Sequence, residues 1–214
     1  MRELDFYFDF ISPYAYLAST KIEAIAARYQ RRVRWHPFRL GITVVKVMGL
    51  RPLMQTPLKS DYITSDIRRL AQVLDVPLKR NGGLDDPLPP ARLFYALPEE
   101  QAAPLAKTLL HACWADGRDI SDEAVLIELG EGCGIGAGAV RAALADQATR
   151  QRLNDATSAA MARGVFGSPT FAVGDQLFWG VDRLWLLDHY LASGERYEPV
   201  NAQEPAAPDQ GMVA

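Results

Sequence analysis

Ser12-Pro13-Tyr14-Ala15 is the stretch where this chain is best placed to do chemistry. A helix opening there presents unpaired N–H groups and the positive end of its dipole, so an anion lodged at Ser12 is stabilised. A thiol held at such a turn loses its proton readily and becomes a nucleophile. The four residues carry no sulfur, so disulfide exchange through them is chemically excluded. What remains is a hydroxyl donor at a place suited to holding a thiolate. Read alone, Ser12 is first of all an ordinary helix cap, since serine accepts hydrogen bonds from free N–H groups at that position.

Two further segments carry comparable signals. In Gly164-Val165-Phe166-Gly167-Ser168-Pro169-Thr170, Pro169 lies just before a strand pattern. A trans proline is the common case there, only about 5–6% of X–Pro bonds being cis. A cis bond would turn the Ser168 backbone toward a crevice, where it can pair with an extended peptide. Gly180-Val181-Asp182-Arg183 opens another helix. Its N-terminus suits a carboxylate and the Asp182 side chain suits an ammonium, so both charges of an α-amino acid head fit one place. Asp182 is equally a favoured plain cap.

The elements that must position these residues follow from periodicity. Leu4, Phe6, Phe8 and Phe10 alternate with Asp and Tyr, the period of a strand. Tyr14, Ala18, Ile22, Ile25 and Tyr29 recur as one face of a single amphipathic helix, with Pro13 at its first position. Val33 to Phe38 reads as a second strand, parallel to the first because a helix crosses between them. From about Gly41 to Ala162 the period is helical. Stripes appear at Ile63, Ile67, Leu70, Leu74 and at Leu105, Leu109, Ala112, and Ser121 is placed to cap a further helix. Gly82-Gly83 and Pro87, Pro89, Pro90 read as loops, and Gly164 as the residue that ends the last helix of the block. Thr170–Val173 and Gln176–Trp179 then flank Gly174-Asp175, a hairpin loop. A final helix carries Leu184, Leu187 and Leu191, capped by Asp182. Residues 199–214 are proline-rich and aperiodic and read as a disordered tail.

The order βαβ, helical block, ββα is an α/β layout: a thioredoxin-like fold split by an all-helical insertion. Residues 1–40 and 163–198 would form the thioredoxin-like domain and 41–162 the insert. Three cap-like positions around one crevice suit an extended thiol peptide with an α-amino acid head, a central cysteine and a second carboxylate. That description leads to glutathione as the ligand.

These segments resemble the 2-hydroxychromene-2-carboxylate isomerase family of the DsbA-like and kappa-class glutathione transferase superfamily. The matching stretches are Asp5 to Ala18, Pro57-x-Lys59-x-x-Tyr62, Trp114 to Ile120, and Gly164 to Thr170 together with Phe178 to Arg183. The resemblance implies that Ser12 hydrogen-bonds the glutathione thiolate and that Ser168 and Pro169 form a cis-proline loop meeting the cysteinyl backbone. It implies that Asp182 and Arg183 lie at the γ-glutamyl head, and that Lys59 approaches the glycyl end or the substrate carboxylate. Lys59 read by itself is a solvated surface lysine. Val181 stands where the family usually has Asn or Ser, which removes one side-chain hydrogen bond, about 0.5–1.5 kcal/mol. Lys59 or Arg92 would pair with the carboxylate of a small aromatic substrate. Tyr14, Trp35, Phe38 and Trp114 are candidates for an apolar wall and equally for plain core. The family also implies a homodimer.

Composition narrows the alternatives. With 214 residues, 49% hydrophobic and 23% charged, the chain is globular in composition, and its net charge of −3 offers no basic field for nucleic acid or anionic lipid. No apolar run is long enough to span a membrane. Met1 to Phe6 lacks a basic start followed by an apolar stretch, so no signal peptide is expected. Cys113 and Cys133 form no CxxC pair and read as inert thiols of a reducing cytosol. His36, His111 and His189 have no metal-ligand spacing, so no metal is expected. Three functions remain: a glutathione-dependent isomerase of aromatic degradation, a kappa-like transferase, and a non-catalytic binding protein on the same scaffold.

Overall fold

The computed structural model describes residues 2–79 and 86–194. The loop expected at Gly82-Gly83 and the tail expected at 199–214 lie outside them. Strand β1 (Arg2–Phe8) is followed by helices α1 (Pro13–Ser19) and α2 (Ile22–Arg28) and by strand β2 (Arg31–Pro37). After a π-helical turn at Ile42–Val47 come six helices: α3 (Lys59–Val73), α4 (Leu88–Ala96), α5 (Glu99–Trp114), α6 (Glu123–Gly132), α7 (Ala137–Ala145) and α8 (Gln147–Ala162). Strands β3 (Thr170–Val173) and β4 (Gln176–Trp179), a short 3-10 turn at Val181–Arg183 and helix α9 (Leu184–Ser193) complete the described chain.

The sheet order is β2-β1-β3-β4, with β1 and β2 parallel and the β1–β3 and β3–β4 pairs antiparallel. Central β1 explains why its alternation does not separate a wet face from a dry one. Leu4, Phe6 and Phe8 pack with Trp35, Phe171 and Phe178 in the main core. Tyr7 on the opposite face is also buried, with Phe38, Ala160, Val165 and Ala172. Asp5 and Asp9, which look solvent-facing in a two-period pattern, are each 3% exposed. A strand with neighbours on both sides and cover on both faces has no solvent side.

Several local expectations change. The single helix expected from Tyr14 to Tyr29 is broken at Thr20-Lys21. The Ser19 and Thr20 hydroxyls donate to the carbonyls of Tyr16 and Leu17, 2.7 and 2.8 Å away, in place of helical continuation. Pro89 and Pro90, expected in a loop, lie in the first turn of α4, where a missing N–H costs nothing. Asp122 rather than Ser121 caps α6, accepting from Ala124 N–H at 2.7 Å. Asp182 does not cap the final helix, because it sits inside the 3-10 turn and α9 begins two residues later without a side-chain cap. Gly164 does end α8 with a φ of +88°, and Gly174 opens the hairpin loop with a φ of +57°.

Candidate active site

The site is built where three connections meet at one end of the sheet. Strand β1 ends at Phe8, and the chain turns through Asp9-Phe10-Ile11 into α1, with Ser12 N–H donating to Asp9 O at 3.0 Å. Ser12 takes the extended conformation of a cap residue and accepts from Ala15 N–H at 3.2 Å. Its own hydroxyl donates to the Ser168 carbonyl, also at 3.2 Å. Ser168–Pro169 is a cis peptide bond. The hydroxyl of Ser168 accepts from Asp9 N–H at 2.9 Å, and Pro169 O accepts from Gly180 N–H at 2.9 Å. Ser12, the cis-proline loop and the start of the Val181–Arg183 turn therefore form one connected set.

Ser12 is 5% exposed, a neutral donor at the mouth of a helix. Tyr14, in the first turn of α1, donates its phenolic hydrogen to Asp66 of α3 at 3.0 Å. Burial first, then this hydrogen bond and the negative charges of Asp66 and Asp182, push its pKa upward, so the phenol stays a donor. The Val181–Arg183 turn that carries Asp182 packs against α1. Asp182 is exposed and accepts from Arg183 at 2.8 Å. The Val181 side chain is buried in the main core, which leaves its backbone as the part able to meet a ligand. Lys59 is exposed at the start of α3 and shares a helix face with Asp66, roughly 10 Å further along the axis.

Not every expected residue joins the set. Arg92 lies on α4, where its guanidinium donates to Asp146 O at 2.8 Å and to the Thr149 hydroxyl at 3.4 Å, bracing the junction of α7 and α8. Trp35 and Phe38 are core side chains. Trp114 is half-buried and donates to Phe10 O at 3.0 Å, supporting the turn from behind. Cys113 is 8% exposed, and burial pushes its thiol up to about 12, which fits an inert thiol. Two members were not legible beforehand. Asp9 looked like strand alternation, and nothing in the sequence singled out Asp66. Among the described residues no group of three or more His, Cys, Asp or Glu could hold a metal ion, and no helix is long and apolar enough to cross a membrane.

The fold and this turn define a class before they define a protein. Residues 3–192 match the family described as DSBA-like thioredoxin domain, and the chain belongs to that family. Within it, a 2-hydroxychromene-2-carboxylate isomerase of Pseudomonas putida is 31% identical over 186 residues, covering 86% of this chain and 92% of the relative. The solved structure of a 2-hydroxychromene-2-carboxylate isomerase superposes with a TM-score of 0.80 at 29% identity, over 89% of this chain and 95% of that one. The rat glutathione S-transferase kappa 1 is 25% identical over 220 residues, covering 92% of each chain. The expected resemblance and fold class both hold.

Proposed function

We propose that this chain is a glutathione-dependent isomerase converting 2-hydroxychromene-2-carboxylate to trans-o-hydroxybenzylidenepyruvate. The observation that carries this is the Ser12 hydroxyl, hydrogen-bonded to Ser168 O at the N-terminus of α1. The protein offers a cradle for a sulfur anion and no sulfur of its own in it.

The residues present fit a peptide thiol. Among the described residues Ser168 N–H donates no hydrogen bond, so the loop can pair with a cysteinyl backbone. Asp182 would take the ammonium of the γ-glutamyl head, and Arg183 with the Val181 backbone its carboxylate. Bound glutathione supplies a nucleophilic sulfur that lets the substrate's double bond turn and then leaves unchanged. Ser12 would turn its one hydroxyl hydrogen from Ser168 O to that sulfur. Its hydroxyl and the helix end together favour the anion, each pKa unit amounting to about 1.36 kcal/mol. Tyr14 stands at the same mouth, where its ring would face the aromatic substrate. Lys59 would pair with the substrate carboxylate, since Arg92 is spent on the α7–α8 junction. The reading includes a cytoplasmic location, where thiols stay reduced, and a homodimer, which light scattering tests.

Titration calorimetry with glutathione, followed by the ultraviolet change of the chromene carboxylate on mixing with loaded protein, tests the proposal. The expected result is binding, and an absorbance change that needs both protein and glutathione. Turnover without glutathione, or no binding, overturns it. Similarity to a kappa transferase over nearly the whole chain favours a second reading, conjugation. A stable thioether in the mass spectrum of the product selects that reading.

A further inference from the structure

Asp9 is a buried acid that the proposed chemistry does not use. Its carboxylate accepts from Ile11 N–H at 3.1 Å and from Leu40 N–H, just past β2, at 2.8 Å. Both partners are neutral. The two bonds fall on different carboxylate oxygens, so an asparagine could accept only one of them, and the acid accepts both at the cost of burying a charge without an ion pair. The backbone of the same residue holds the site together, since its carbonyl accepts from Ser12 N–H and its N–H donates to the Ser168 hydroxyl. The Ser12–Asp9 bond closes a four-residue turn, which keeps the two α-carbons within roughly 7 Å.

We infer that Asp9 is a positioning residue whose charge sets how strongly the turn favours an anion at position 12. The inference deepens the glutathione reading and rests on it for its biological meaning. A carboxylate this close to a second anion disfavours it, while the neutral acid does not. Burial raises the pKa of Asp9 to about 6 against the opposing pull of the two N–H bonds, so its charge changes in the range where such an anion forms. Among the described residues the charge acting on it is Arg39, at the exit of β2, whose guanidinium is bonded to Asn154 at 3.1 Å. The groups facing it from the turn and the cis-proline loop, Ser12 and Ser168, are uncharged hydroxyls.

The test needs no glutathione, so its failure and that of the isomerase reading are separable. Ser12→Cys places a thiol in the cradle, and its ionisation is read from the pH dependence of alkylation by iodoacetamide. Adding Asp9→Asn should lower that midpoint by roughly one pH unit, a tenfold gain in thiolate below it. An unchanged midpoint overturns the inference. A second measurement keeps Asp9 intact in case that variant does not fold. The Asp9 carboxyl carbon is titrated by nuclear magnetic resonance in Ser12→Asp and in Ser12→Asn. Its midpoint should be higher, by roughly one pH unit, where position 12 carries a carboxylate, and equal midpoints overturn the inference.

Discussion

Tyr14 and Asp66 tie the first helix to α3 beside the candidate site. Tyr14 belongs to the first turn of α1, Asp66 to the middle of α3, and a 3.0 Å hydrogen bond connects them. Two further polar links brace the same region, Tyr16 donating to Pro77 O at 2.8 Å and Trp114 to Phe10 O at 3.0 Å. Tyr14→Phe should cost about 1 kcal/mol, a fall in melting temperature of about 2–4 °C for a chain of this size. It should also raise KM for the aromatic substrate more than KM for glutathione. Calorimetric melting and steady-state kinetics check both parts.

Ser12→Ala removes a cap and a donor together. Loss of the bond from Ala15 N–H should cost about 1 kcal/mol of stability. Loss of a charge-assisted bond to the bound sulfur is worth about 1.5–3 kcal/mol, or roughly 10–100-fold in turnover. The pH at which bound glutathione ionises should rise. Thiolate absorbance across a pH series and the rate of the ultraviolet change measure these, and full activity with an unmoved profile would refute the role of Ser12.

Asp5 anchors a charge cluster on the other face of the sheet. Burial works against its charge. Hydrogen bonds from His36 and Arg163, with the charges of His36 and Arg34, outweigh burial and hold the carboxyl well below the usual range. The contribution is therefore present above the unfolded carboxylate range, near pH 4, and is lost as pH falls toward the folded value. Its partners are each about one-third exposed, which screens the pairs. Asp5→Asn should cost about 1–3 kcal/mol at pH 7, with the gap to the parent protein shrinking at pH 3. Urea unfolding at the two pH values gives the comparison, and an equal gap at both would contradict it.

Gly167 precedes Ser168 directly beneath the indole of Trp179. A Cβ on residue 167 would fall onto the Trp179 Nε1 and within 2.8 Å of two neighbouring ring atoms. The indole is half-exposed and contacts Phe166 edge-on at 4.8 Å, so it can move only by giving up that contact. Gly167→Ala should cost about 1–3 kcal/mol and shift tryptophan emission. A variant with the parent melting temperature and emission maximum would show that the ring yields freely.

The strands and the Ser12 turn were legible because each rests on local rules. Aromatic alternation marks β1, Gly174-Asp175 marks the hairpin, and a serine followed by proline marks a helix start. The break at Thr20-Lys21 was not legible, since side-chain hydroxyls compete with the helix there on nearly equal terms. Asp182 misled because a good capping residue caps only if its backbone stands outside the helix, and here it lies inside a 3-10 turn. The bonds of Arg92 to Asp146 O and Thr149 were not legible either, since a free guanidinium and one bracing a helix junction are written with the same letter.

By itself, the order of residues determined that a hydroxyl, and no thiol, stands at the first helix of an α/β domain, with Ser168-Pro169 and Asp182-Arg183 held in reserve further on. Only the tertiary structure decided that these lie together and that Asp9 and Asp66 belong with them. Periodicity reports which face of an element is apolar. It does not report which distant element covers the polar face, and that cover is what turns a surface aspartate into a buried acid beside the site.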